Sequence, residues 1–153
     1  MSEGRHEEFL REAVALAGES VEREGTQPFG AVVVKDGRIV GRGINQSGAL
    51  LDPTSHGETE AIRDACRNLG TLDLSGATLY SSCEPCALCV AAMGIAGIAK
   101  LYYANRLADS REILGAVPVE IRKQSDTRRL RAMCAAPAGG GALDAERIDL
   151  PEA

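Results

Sequence analysis

His56-Gly57-Glu58 is followed about thirty residues later by Pro85-Cys86-Ala87-Leu88-Cys89. If these side chains serve one centre, two segments far apart in the chain must begin side by side, and that restricts the fold more than any other feature. One imidazole and two thiolates make a neutral set of three protein ligands for Zn²⁺, with the fourth position open for water. Such a water has its pKa lowered to near neutrality and becomes a hydroxide nucleophile. Glu58, two residues from His56, is close enough to handle protons without being a ligand. Each fragment alone has a plainer reading. Cys-x-x-Cys is often a redox motif or half of a zinc site. A Glu early in a helix is usually favourable dipole placement, and a lone His is usually structural. Their joint occurrence in this order points to a zinc hydrolase site. The five cysteines, an odd number, argue against a complete disulfide framework. Cys66 and Cys134 read as small buried apolar residues.

The 153 residues fit one domain, spanning 1–153, that can bury most of its apolar surface. No run approaches the ~18 apolar residues of a transmembrane helix. The start, Met-Ser-Glu-Gly-Arg-His-Glu-Glu, is acidic and lacks a signal peptide's apolar stretch, so a cytoplasmic location is expected. The net charge of −5 disfavours a polyanion as the main substrate. Arg122, Lys123, Arg128, Arg129 and Arg131 form a local basic cluster, read first as a solvated helix face and second as a nucleic-acid contact.

Apolar residues at helical spacing predict an amphipathic helix over 3–24, ended by Gly25. Ala31-Val32-Val33-Val34 suits a buried strand. Asp36-Gly37 is a two-residue hairpin turn, and Ile39–Ile44 is the returning strand. A loop rich in Gly, Asp, Pro and Ser covers 45–55. A helix follows over 57–69, then a strand over 78–81. Pro85 stands where a helix would start, that helix runs to about Ile95, and 98–104 is a fourth strand. Beyond Asn105 the pattern suggests a short helix over 110–114, a strand over 117–119 and a helix over 120–133. The tail over about 135–153, with Gly139-Gly140-Gly141, is expected to be mobile. This order predicts an α/β fold, a central mixed sheet with helices on both faces. His56 and Glu58 would enter one helix at its N-terminus, and Cys86 and Cys89 another. Two positive helix ends then converge, which favours thiolates and an anionic oxygen.

The chain resembles the cytidine deaminase superfamily over roughly residues 5–110, and His-x-Glu with Pro-Cys-x-x-Cys is the signature of its zinc nucleobase deaminases. Within it, the chain is similar to bacterial guanine deaminases and, less so, to fungal-type cytosine deaminase and tRNA adenosine deaminases. The anchors are Pro28-Phe29-Gly30-Ala31-Val32-Val33-Val34, Asn45, Asp52-Pro53-Thr54-Ser55-His56-Gly57-Glu58, Glu60-Ala61-Ile62-Arg63 and Ser81 through Cys89. Cys83 before Glu-Pro-Cys is the guanine-deaminase form, whereas Gly57 is more like the fungal cytosine enzyme. The resemblance implies a three-layer α/β/α fold with a five-stranded mixed sheet, and one zinc held by His56, Cys86 and Cys89. It implies that Glu58 takes a proton from the zinc water and delivers protons to the ring nitrogen and the departing amine. Asn45 would hydrogen-bond the base edge, although a turn-forming Asn is an equal reading. Phe29 would wall the ring pocket, with core packing as the alternative. The backbone carbonyl of Glu84 would accept from the amino group, and the N–H of Cys86 or Glu58 would help position oxygen. Cys83 is expected beside the ligands without being one. A homodimer is implied as well, with an exchanged carboxyl-terminal segment as one form of it.

The carboxyl-terminal third departs from guanine deaminases. Their Phe-Asp-Asp stretch, whose acidic residue reads the guanine edge, falls near Val117 here, in Gly115-Ala116-Val117-Pro118. Their aromatic tail has no counterpart in a chain with no Trp and only Phe9 and Phe29. Arg106, Asp109 and Ser110 could supply polar contacts instead. The expected activity is hydrolytic release of ammonia from a free base, guanine first, then cytosine, then a pterin- or triazine-like amine. The alternatives are tRNA adenosine deamination and a non-catalytic structural zinc or redox protein. Glu58 argues against the last, since a structural site needs no unligated carboxylate.

Overall fold

The computed structural model describes residues 2–106 and 143–150. Helix α1, Glu3–Ser20, buries Phe9, Leu10, Ala13, Ala17 and Ser20 along one face. It ends before the expected residue 24 because its last carbonyls find other donors. Ser20 O accepts from Thr26 Oγ1 at 2.5 Å and from Arg23 N–H at 3.0 Å, which tightens the chain into a turn.

Strands β1, Gln27–Lys35, and β2, Arg38–Asn45, form the expected hairpin. Asp36 and Gly37 take φ of 51° and 74°, the left-handed pair that an Asp-Gly hairpin turn demands. Helix α2, Ser47–Leu50, is a single turn inside the expected loop. Helix α3, Gly57–Leu69, strand β3, Thr78–Cys83, helix α4, Ala87–Ala96, and strand β4, Lys100–Asn105, follow as the apolar pattern requires.

The sheet order is β2-β1-β3-β4-β5, with β1 antiparallel to β2 and β3, and β4 parallel to both β3 and β5. Strand β5 is Asp144–Arg147, residues expected within the mobile tail. This corrects that reading for 144–147. The helices expected over 110–114 and 120–133 and the strand over 117–119 lie outside the described residues, as do the basic cluster and Cys134. All four β5 residues are exposed, and it is held by its backbone ladder to β4 and by a Lys100–Asp144 pair at 3.7 Å.

Alternation along the central strands divides the core into two layers. Val32, Val34, Tyr80 and Tyr102 meet Phe9, Leu10 and Ala13 of α1. Ala31, Val33, Leu79 and Leu101 meet Ala61 and Ala65 of α3 and Val90 and Met93 of α4. Partly buried Cys66 packs against this second layer, close to the expectation for it.

Helix α3 lies directly on the edge strand. A Cβ at Gly41 would fall 2.4 Å from Ala61 O, and one at Gly43 2.3 Å from both Ala61 N and Gly57 O. Glycine at these positions permits the close approach. The same helix closes the open edge of β2. Asp64 Oδ2 accepts from the Arg42 N–H, and Asn68 Nδ2 donates to Val40 O, both at 2.9 Å.

Candidate active site and metal centre

Two helix starts meet where β3 ends. His56 is the N-cap of α3, with extended backbone. Its N–H donates to Thr59 Oγ1 at 2.9 Å, and Thr59 Oγ1 donates to Thr54 O at 2.6 Å, so the loop is fastened to the first helical turn. Cys86 is the N-cap of α4, and Cys89 stands one turn on. Pro85 therefore precedes the N-cap, a correction to its expected place as the first helical residue. The fold needs the corner there: the Glu84 N–H donates to Asn105 O at 2.7 Å, so the chain leaves β3 along β4 before α4 begins.

His56 Nδ1 lies 3.5 Å from Cys86 Sγ and 3.5 Å from Cys89 Sγ, and the two sulfurs are 3.8 Å apart. A tetrahedral zinc with bonds of about 2.3 Å to sulfur and 2.05 Å to nitrogen spaces its sulfurs about 3.8 Å apart and each nitrogen–sulfur pair about 3.6 Å apart. The three donors thus stand near three corners of such a tetrahedron, and the set fits zinc. Among the described residues they are the one group of three His, Cys, Asp or Glu side chains close enough to share a metal. Cys83 is outside it, with Sγ 3.9 Å from Arg106 O. Hydrogen bonding with Cys89, then with His56, holds the Cys86 thiol down at about 4, while the same pairing and burial push Cys89 up. Cysteine ligands bind a divalent cation as thiolates, so metal binding releases protons.

Glu58 is only 6 % exposed. Burial pushes its carboxyl above the usual carboxylate range, against hydrogen bonds with Cys89 and Ser81 that pull it down. The Ser81 hydroxyl, on β3, lies 3.0 Å from Glu58 Oε1 and 2.7 Å from Cys83 O. Ser81 stands in an anchor of the family resemblance, but its contact with Glu58 is not among the expected ones. Its signal is a pair of serines, Ser81-Ser82, ending a strand whose other inward positions are apolar. Thr59 is passed over as well, because a polar residue early in a helix has many uses.

The expected substrate contacts are placed less uniformly. Asn45, buried at the end of β2, accepts on Oδ1 from the Ser47 N–H at 3.1 Å and its hydroxyl at 2.8 Å. It makes the turn, which leaves Nδ2 as the half able to serve a ligand. Phe29 borders a groove of about 240 Å³ with Val14, Ala17, Val21, Cys83 and Asn105, and His56 and Glu58 are not among its lining residues. The Phe29 backbone is nearer the centre, since its carbonyl lies 3.3 Å from a Cβ position at Gly57. Glu84 stands between β3 and Cys86, held by its N–H as described.

Residues 3–105 match the family model described as the cytidine and deoxycytidylate deaminase zinc-binding region. The chain belongs to this family. It is a family of zinc-dependent hydrolytic deaminases, and the donor set described above agrees with its cofactor. The guanine deaminase of Bacillus subtilis (strain 168) is 46 % identical over 107 residues, which cover 70 % of this chain and 69 % of that protein. A tRNA-specific adenosine deaminase of Agrobacterium fabrum is 44 % identical over 103 residues, covering 67 % of this chain and 66 % of the relative. The X-ray structure of the Bacillus subtilis guanine deaminase superposes with a TM-score of 0.70 at 39 % identity, covering 95 % of this chain and 86 % of that one. The two sequence matches take in about two thirds of each relative's length, and their identities are too similar to separate a base from a tRNA as substrate.

Proposed function

We propose that this deaminase acts on a free amino-substituted nucleobase, with guanine as the first substrate. The observation that carries the catalytic part is Glu58, a buried carboxylate hydrogen-bonded to Cys89 of the donor cluster and not itself a member of it. His56, Cys86 and Cys89 hold the zinc. Zinc held by these residues would supply Lewis acidity and lower the pKa of a water. Glu58 takes up the two protons of the attacking water in turn and hands one to the ring nitrogen and the other to the departing amine, so that oxygen replaces the amino group and ammonia leaves. Asn45 donates from Nδ2 to an acceptor on the base edge, the Glu84 carbonyl accepts from the amino group, and the Phe29 backbone borders the site beside Gly57.

Similarity to a guanine deaminase, the Cys83-Glu84-Pro85-Cys86 form of the motif and the net charge of −5 support a free base. The similarity to a tRNA-specific adenosine deaminase favours a second reading, adenosine within an anticodon stem. Ammonia release from guanine, cytosine, adenosine and an anticodon stem-loop separates them. A neutral ring releases no counterions, so turnover of a free base should hold nearly constant with salt. Binding through phosphates would fall with a log–log slope of roughly −0.9 per contact. Turnover confined to the stem-loop with a steep salt dependence overturns the free-base reading. Activity on cytosine but not guanine moves cytosine to first place.

The ligand assignment has its own check. Cys89→Ala should carry little or no zinc by elemental analysis, whereas Cys83→Ala should keep about one per chain, because a fourth thiolate would close the position water needs. Full zinc in Cys89→Ala would show the assignment to be wrong.

A further inference from the structure

We propose that Arg63 and Glu60 are positioning residues for His56, a charged clamp that fixes the two residues before it. The proposal rests on the reading of His56 as a zinc ligand. His56 ends an irregular stretch, 51–56, between helices α2 and α3. Backbone outside a helix or ladder holds a side chain only as firmly as its own contacts do. Here those contacts converge on one guanidinium. Arg63 Nη1 pairs with Glu60 Oε1, and the same oxygen accepts from the Ser55 hydroxyl at 3.1 Å. Arg63 Nη2 donates to Thr54 Oγ1 at 3.3 Å, and Thr54 Oγ1 donates to Asp52 Oδ1 at 2.7 Å. The two arms of one side chain thus hold Thr54 and Ser55, the residues directly before His56.

An exposed ion pair within one helix contributes little. This one differs in what it covers. The Glu60 side chain is only 15 % exposed, and Ser55 is fully buried. Among the described residues Glu60 is the acceptor for the Ser55 hydroxyl, and without it a buried donor would lack a partner. The Ser55 carbonyl in turn accepts from the Gln46 N–H at 3.0 Å, next to Asn45. The clamp therefore ties both ends of the loop that joins Asn45 to His56. A guanidinium suits the task because its N–H groups point in fixed, divergent directions, whereas an ammonium is a single point of charge. A lysine at position 63 can keep Glu60 but not Thr54 as well. A ligand held in this way meets the metal without first ordering its loop. The packing of α3 on the sheet is left to Ala61 and Ala65.

The test compares Arg63→Met and Arg63→Lys, each loaded with zinc. Removing groups that orient a metal ligand typically costs roughly 10- to 100-fold in metal affinity. Action through the backbone belongs at the lower end. Zinc release into excess chelator should be about tenfold faster in Arg63→Met and faster by an intermediate factor in Arg63→Lys. A second readout uses the two histidines of the chain. His6 lies on α1 with Nδ1 2.6 Å from the Tyr80 hydroxyl, so its ring resonance at one fixed pH reports the fold while that of His56 reports the site. The His56 resonance should shift or broaden in both variants, and that of His6 should stay. Arg63→Lys with the original release rate and His56 resonance overturns the clamp. So does movement of His6 together with His56, which would mean a general loosening of the fold. Arg63→Lys keeps the charge and the Glu60 pair, so it decides the matter even where Arg63→Met fails to fold. Full zinc in His56→Ala would instead defeat the underlying ligand reading, so the two failures are distinct.

Discussion

Glu58→Gln is expected to retain zinc and fold while losing most of its turnover. Gln has the shape of Glu and can still pair with Ser81, so packing gives no reason for collapse. What it lacks is a site that accepts a proton at neutral pH. General acid–base groups contribute about 10²–10⁴-fold to rate. A group that serves both the attacking water and the departing amine should lie at the top of that range. Water cannot easily stand in, because Glu58 is only 6 % exposed. The checks are ammonia release under saturating substrate and elemental analysis of the same sample. Near-normal turnover with full zinc would remove Glu58 from the mechanism.

Gly43→Ala should disable the protein by another route, far from any reacting atom. The added methyl would sit 2.3 Å from Ala61 N, 2.3 Å from Gly57 O and 2.8 Å from Glu60 C. All three are backbone atoms of α3, so no side chain can swing aside and the helix itself must lift from β2. Overpacking costs typically 1–3 kcal/mol and occasionally more, and a clash with helix backbone belongs at about 3 kcal/mol or beyond. For a chain of this size that lowers the thermal midpoint by roughly 10 °C. The same shift moves the first turn of α3, which carries His56 and Glu58, away from Cys86 and Cys89 on α4. Zinc affinity should fall together with stability. Gly94→Ala is the control: it sits on the exposed side of α4 with nothing within 4 Å, and replacing a helical glycine should be neutral or slightly stabilising. Equal stability and zinc content in the two variants would show that the α3–β2 contact does not set the site.

Much of this arrangement is legible in the chain before folding, because the signals involved are local. Asp36-Gly37 specifies its turn through the φ values those two residues tolerate. The alternation in Ala31–Val34 is hidden, since both faces are apolar, yet an unbroken apolar run with three valines still reads as a buried strand. The order of His56, Glu58, Cys86 and Cys89 announces a shared centre. Their ligand chemistry demands that two helix starts meet, and the structure brings the donor atoms of His56, Cys86 and Cys89 within 3.8 Å of one another.

Tertiary structure decided the features whose cause lies elsewhere in the chain. Asp144–Arg147 has no apolar side to reveal a strand; it becomes one because β4 presents an unpaired parallel edge. Helix α1 stops at Ser20 because Thr26 returns to take its carbonyl, a partner invisible to helical periodicity. Pro85 stays outside α4 because the Glu84 N–H is drawn to Asn105 on the neighbouring strand. Ser81 matters only through being opposite Glu58, which lies 23 positions away in sequence. The sequence by itself determined the kinds of chemical group and the local shapes, since both follow from residue type and short-range sterics. The distances between those groups, and the depth at which α3 rests on Gly41 and Gly43, depend on backbone meeting backbone across the sheet, and only the folded chain decides them.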